Sequence, residues 1–149
     1  MLDNMSHTYV KLPVHGDLEH FLFLSIASYL CWKRGFTFLD GSGFAFKHKC
    51  PGIPDIYVKY PMKVKDEFGT RRYDQYAVIE IETHANTKDT QKKISQFESQ
   101  AQNVKLCIVP MNKFDAWKER QIKKGKDFES DLCWYSEFID AWLPQSEVN

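Results

Sequence analysis

The chain has no excess of charge of either sign: 20 Lys and Arg stand against 20 Asp and Glu. That balance excludes a strongly basic protein that holds nucleic acid by bulk attraction, so any such surface has to be local. The four cysteines, Cys31, Cys50, Cys107 and Cys133, form no C-x-x-C pair and show no ligand spacing, which argues against a cysteine-held metal. Cys31 and Cys107 fall in apolar runs and are expected to be buried free thiols. Neither a phosphate-cradling loop nor a nucleophilic triad is visible. Membrane-length apolar runs are missing as well. The stretch Phe21 to Trp32 is too short to span a bilayer, and Asp17, Glu19 and His20 precede it where a secretory signal would carry positive charge. A cytosolic location with no membrane partner is therefore expected. Repeats and low-complexity linkers are absent, so residues 1–149 are expected to form one domain, whose 15% aromatic content supplies bulk for a core. Residues 1–14 are weakly patterned and expected to be loosely ordered. Residues 111–149 form an aromatic-rich extension in which Trp117, Trp134 and Trp142 pack on the core or at a subunit contact.

What is present is a split acidic signature. Gly52-Ile53-Pro54-Asp55-Ile56-Tyr57-Val58 and Ala77-Val78-Ile79-Glu80-Ile81-Glu82-Thr83 are strand-like apolar runs that carry carboxylates. Between them Asp66-Glu67-Phe68-Gly69 has turn composition. A hairpin centred between Glu67 and Phe68 pairs residues whose numbers add to 135, which sets Asp55 opposite Glu80. Glu80 and Glu82 then share a face roughly 6.6 Å apart, with Asp55 about 4.8 Å across the ladder. Three carboxylates this close make a divalent-metal site, and sites of this kind cut phosphodiester bonds. Pro61 marks an irregular or edge position in the first of these strands.

The remaining elements follow from periodicity. Leu18, Leu22, Ser25, Ile26 and Tyr29 are the expected stripe of a first helix that stops at Gly35. Phe36 to Phe46 is expected to be a strand broken at Gly41-Ser42-Gly43. A second helix is expected over Asn86 to Gln102, with Asn86 as its N-cap, Asp89 in its first turn and a stripe of Thr90, Ile94, Phe97 and Ala101. A buried strand, Val104 to Val109, follows and Pro110 ends it. The sum is an α/β fold, α-β-β-β-α-β, with a mixed central sheet flanked by helices and a helical C-terminal tail.

Pro54-Asp55, a hairpin-length gap, then Glu80-Ile81-Glu82 resembles the PD-(D/E)xK nuclease superfamily, and the order from Gly16-Asp17-Leu18-Glu19 through Asp40-Gly41-Ser42-Gly43 is similar to its archaeal Holliday-junction resolvases. The resemblance covers roughly Gly16 to Pro110. It implies a restriction-endonuclease-like core and a DNA endonuclease that acts on branched or repair intermediates, with DNA as the expected partner and a homodimer as the expected assembly. It implies further that Asp55, Glu80 and the Ile81 carbonyl hold Mg²⁺ or Mn²⁺, with Glu82 as a further ligand or as the holder of a water. Glu19 is implied as an auxiliary metal or structural carboxylate, and Ser42 as a DNA contact.

One position departs from the family. Glu82 stands where its lysine is expected, and a carboxylate cannot offset charge at a scissile phosphate. Lysines on the next helix are candidates to replace it. At 100° per residue Lys93 lies about 65° from the centre of the apolar stripe and Lys92 about 165° away, so Lys93 is expected to lean over the carboxylates while Lys92 faces solvent. Lys88 is a third candidate, nearest in sequence to the strand end. His84 is placed where it could touch a phosphate, although a loop histidine without a catalytic role is the commoner case. Basic residues are also unevenly spread: Lys59 to Arg72 and Lys118 to Lys126 are both rich in them. The alternative reading, supported by Glu82, is a nuclease-like fold that no longer cuts and serves as a DNA-binding or protein-interaction module. A third is a small structural protein that assembles through its aromatic tail.

Overall fold

A computed structural model describes residues 18–50, 52–84, 87–101 and 103–146. The expected loose ordering of residues 1–14 and the expected cap at Asn86 lie outside the described residues.

The chain opens with α1 (Leu18–Lys33), then β1 (Thr37–Phe38), α2 (Gly41–His48), β2 (Ile56–Asp66) and β3 (Gly69–Glu82). α3 (Lys88–Gln100), β4 (Val104–Pro110), a 3-10 turn (Met111–Lys113), α4 (Phe114–Lys123) and α5 (Asp131–Asp140) complete it. The four strands lie in the order β1-β2-β3-β4, antiparallel except for the parallel pair β3–β4. The architecture is therefore α/β, a mixed sheet with helices on both faces. No helix among the described residues is long and apolar enough to cross a membrane.

The register of the central hairpin is the expected one. Asp66 pairs with Gly69, Lys63 with Arg72 and Ile56 with Ile79, so partners add to 135 along the whole ladder. The turn holds it there: Asp66 Oδ1 accepts from the Phe68 amide at 2.9 Å, and Gly69 takes a φ of 115°, which glycine adopts without a Cβ penalty. Pro61 is tolerated because β1 pairs with β2 only at Val58 and Lys59, leaving the proline beyond the end of β1.

Strand alternation sends two sets of side chains to opposite faces. Ile56, Val58, Tyr60, Ala77, Ile79, Ile81, Cys107 and Val109 face α1 and α5 and form the larger core with Phe23, Phe138 and Ile139. Phe23 is at its centre, edge-on to Phe114, Tyr135 and Phe138. The aromatic tail is thus packed on the core, with Trp134 buried against Trp117 and Phe128. On the other face Phe44, Val78, Phe97 and Ala101 make a smaller cluster beneath α2 and α3. Cys31 and Cys107 are buried free thiols, and burial pushes them up to about 11 and about 12.

Two expectations are corrected. α1 buries Phe23, Ala27, Leu30 and Cys31, whereas Leu18 and Tyr29 of the expected stripe are 57% and 55% exposed. The helix is apolar nearly all round, so its periodicity does not select a face. The segment expected to continue the first strand is instead helix α2. Asp40 caps it by accepting from the Ser42 amide at 3.0 Å, and a Cβ at Gly43 would meet Asp40 Oδ2 at 2.9 Å, so a larger residue there would push against the capping carboxylate. The order therefore carries one helix more than α-β-β-β-α-β. The second helix of that scheme, α3, keeps its stripe of Thr90, Phe97 and Ala101, and its cap is Thr87, whose Oγ1 accepts from the Thr90 amide at 3.2 Å.

Candidate functional site

Asp55 lies one residue before β2, at the point where the antiparallel ladder ends with Ile56 opposite Ile79. The next rung is made by a side chain. Asp55 Oδ2 accepts from the Ile81 backbone amide at 2.8 Å, which fixes the carboxylate against the end of β3. The Ile81 carbonyl is engaged as well: His20 Nε2, from the first turn of α1, lies 3.1 Å from it. A carbonyl only accepts, so Nε2 carries the proton in this contact. His20 Nε2 is also 3.8 Å from Asp55 Oδ2.

Glu80 shares the face of Asp55 and is 9% exposed. Burial pushes its carboxyl up to about 7, with the Asp55 charge and a hydrogen bond to Asp55 adding to the rise while Lys93 opposes it. The Glu80 carboxyl therefore keeps its proton to a higher pH than an ordinary carboxylate does. Glu82, two residues further along β3, points the same way and reaches Lys93.

Lys93 completes the group from α3. Its Nζ is 2.9 Å from Glu82 Oε1 and 3.4 Å from Glu80 Oε2. Partial burial works against its charge, but the hydrogen bond to Glu82 and the charge of Glu80 outweigh it and raise the ammonium above its ordinary value. The helical geometry that favours Lys93 over Lys92 is thus the one observed. All three lysines are exposed, Lys93 by 44%, but among the described residues neither Lys92 nor Lys88 pairs with these carboxylates.

Glu19 does not join the cluster. It is exposed on α1, and its charge acts on Tyr135 of α5. Its neighbour His20 takes the place next to Asp55 instead. His20 precedes Phe23 by three and Ala27 by seven, so it lies on the buried stripe of α1. The correct stripe of α1 is the signal that would have found it. Ser42 is exposed at the first turn of α2. His84 lines an open groove of about 460 Å³ together with His20, Ile81, Glu82, Thr87 and Thr90. Lys93 borders a second groove of about 390 Å³ with Gly52, Lys92 and Gln96.

Among the described residues no three His, Cys, Asp or Glu side chains are grouped as a metal cluster. The donors that lie beside one another are the carboxylates of Asp55 and Glu80, and the Ile81 carbonyl adjoins Asp55 through His20 Nε2, which is 3.1 Å from the carbonyl and 3.8 Å from Asp55 Oδ2. All three donors are hard oxygens. Mg²⁺ commonly takes one or two carboxylates and keeps several waters, so this set fits it in chemistry. The raised Glu80 carboxyl agrees, because a buried carboxyl beside the Asp55 charge is relieved by a nearby cation. No family model, no curated protein and no solved structure matches the chain.

Proposed function

We propose that this chain is a Mg²⁺- or Mn²⁺-dependent DNA endonuclease of the PD-(D/E)xK type, with a restriction-endonuclease-like core. The observation that carries the reading is Lys93 Nζ at 2.9 Å from Glu82 and 3.4 Å from Glu80. It brings a cation from the helix to the place where the strand has Glu82 in position of the motif lysine.

In this reading Asp55, Glu80 and the Ile81 carbonyl hold the ion, which when bound supplies Lewis-acid polarisation of the phosphodiester. The chain's own groups do the rest. Asp55 is oriented by the Ile81 amide, and His20, beside Asp55, orients the Ile81 carbonyl. Lys93 orients the attacking water and offsets charge on the phosphate oxygens, while Glu82 holds the ammonium in place. Glu80 would hold the ion as a carboxylate, and its raised carboxyl would ionise as the pH rises through about 7.

The test is incubation of the purified protein with branched, single-stranded and duplex DNA in Mg²⁺ or Mn²⁺. Cleavage by wild type that is lost in Asp55→Ala and Glu80→Ala supports the reading. No cleavage by wild type, or equal cleavage by both variants, overturns it. DNA affinity without cleavage by wild type in either metal would favour a non-cutting DNA-binding module, in which the lysine is only an ion-pair partner.

A further inference from the structure

The hairpin β2–β3 runs far beyond both of its neighbours. β1 meets β2 only at Val58 and Lys59, and β4 meets β3 only from Tyr76 to Glu82. From Pro61 to Asp74 the two strands are a ribbon with no sheet neighbour at either edge among the described residues. A two-stranded ribbon standing alone is marginal in water. This one is largely exposed, up to Phe68 at its tip.

Its charge is sorted by face. Alternation puts Lys59, Lys63 and Lys65 on one side of β2, and the pairing of Lys63 with Arg72 puts Arg72 beside them. Arg71 points to the other side, where Asp66 neutralises it at 2.6 Å. Among the described residues none of Lys59, Lys63, Lys65 or Arg72 is in an ion pair, and the acid on their face of the ribbon is Asp74, opposite Pro61. Lys63 and Arg72 are direct cross-strand partners, an arrangement of like charges that opposes folding. A polyanion laid on this face relieves that repulsion.

The same face of the sheet carries Asp55, Glu80 and Glu82. Arg72 is eight residues from Glu80 along β3, a span of about 26 Å. That matches the rise of about eight base pairs of duplex DNA.

We propose that the ribbon grips the phosphates of a B-form DNA arm about eight base pairs from the bond presented to Asp55 and Glu80, so that the substrate is one with a duplex flank. The position of that bond rests on the hydrolase reading above; the grip of the ribbon does not. B-form DNA is favoured over duplex RNA because its major groove admits a two-stranded ribbon, whereas the A-form major groove is too narrow.

The test is fluorescence anisotropy of the full chain on a 30-base-pair DNA duplex in EDTA, a probe length of about 100 Å, over a salt series. For Lys63→Ala/Lys65→Ala/Arg72→Ala the slope of log affinity against log salt should flatten by about 2.7, three phosphate contacts at about 0.9 each. Lys63→Arg/Lys65→Arg should keep the wild-type slope, and the melting temperature of the alanine variant should be unchanged or higher. An unchanged slope in the alanine variant overturns the proposal. An RNA duplex that binds as tightly and loses as much overturns the assignment to DNA. Cleavage by wild type with an unchanged slope would sink the ribbon and leave the hydrolase. A flattened slope in a protein that does not cut would do the reverse.

Discussion

Glu80→Gln should make this protein more stable, and by an amount that depends on pH. In the folded chain the Glu80 carboxyl is raised from 4.5 to about 7, because it is buried and faces the Asp55 charge. A raised acid binds its proton more tightly when folded. Its stabilising uptake is fully present below about pH 4.5 and is lost as the pH rises through about 7. The gap of about 2.5, at about 1.36 kcal/mol per pH unit, gives on the order of 3 kcal/mol lost by wild type across that window. The glutamine amide of the variant stays neutral at every pH and can still donate to Asp55 as the protonated acid does. Urea denaturation in EDTA at pH 4, 5, 6, 7 and 8 measures the difference. The variant should match wild type at pH 4 and exceed it by about 3 kcal/mol at pH 8, with a slope approaching 1.4 kcal/mol per pH unit between. A variant that is less stable at pH 8, or that differs by the same amount at every pH, would refute the crowded-carboxylate account.

Two further outcomes follow. The stabilisation of wild type by Mg²⁺, read as a rise in melting temperature, should be small at pH 5.5 and grow through about pH 7, because the ion competes with the proton on Glu80; Glu80→Gln should abolish the growth. Phe138→Ala should cost about 3–5 kcal/mol by urea denaturation, since this fully buried ring packs on Phe23, Phe114, Trp117 and Trp142.

The parts of the site that are legible in the sequence are those set by simple geometry. A four-residue turn at Asp66–Gly69 determines which residues face each other across the hairpin, and so brings Asp55 to the end of β3. The 100° step of a helix selects Lys93 over Lys92, because α3 has a single apolar stripe and its opposite face is polar. α1 offers no such contrast. With Phe21, Leu22, Phe23 and Leu24 in succession it can present several faces to a core, and only the packing of Phe23 against α5 decides. Under that ambiguity Glu19 stands out by its charge and His20 does not. α2 is hidden by Gly41-Ser42-Gly43, a composition that reads as a loop, although Asp40 immediately before Gly41 is a capping signal in plain sight. The contact between His20 and the Ile81 carbonyl spans 61 residues, and no local pattern encodes such a distance.

The central claim is that a helix-borne lysine takes over from the strand position held by Glu82. Its most direct test is the single-turnover rate of DNA cleavage in Mg²⁺ by wild type and by Lys93→Met, which keeps the approximate length of the side chain and removes its charge. A loss of about 10²- to 10³-fold in the variant is predicted, the usual effect of removing one group that stabilises developing charge. An unchanged rate would contradict the account and reduce Lys93 to an ion-pair partner of Glu80 and Glu82.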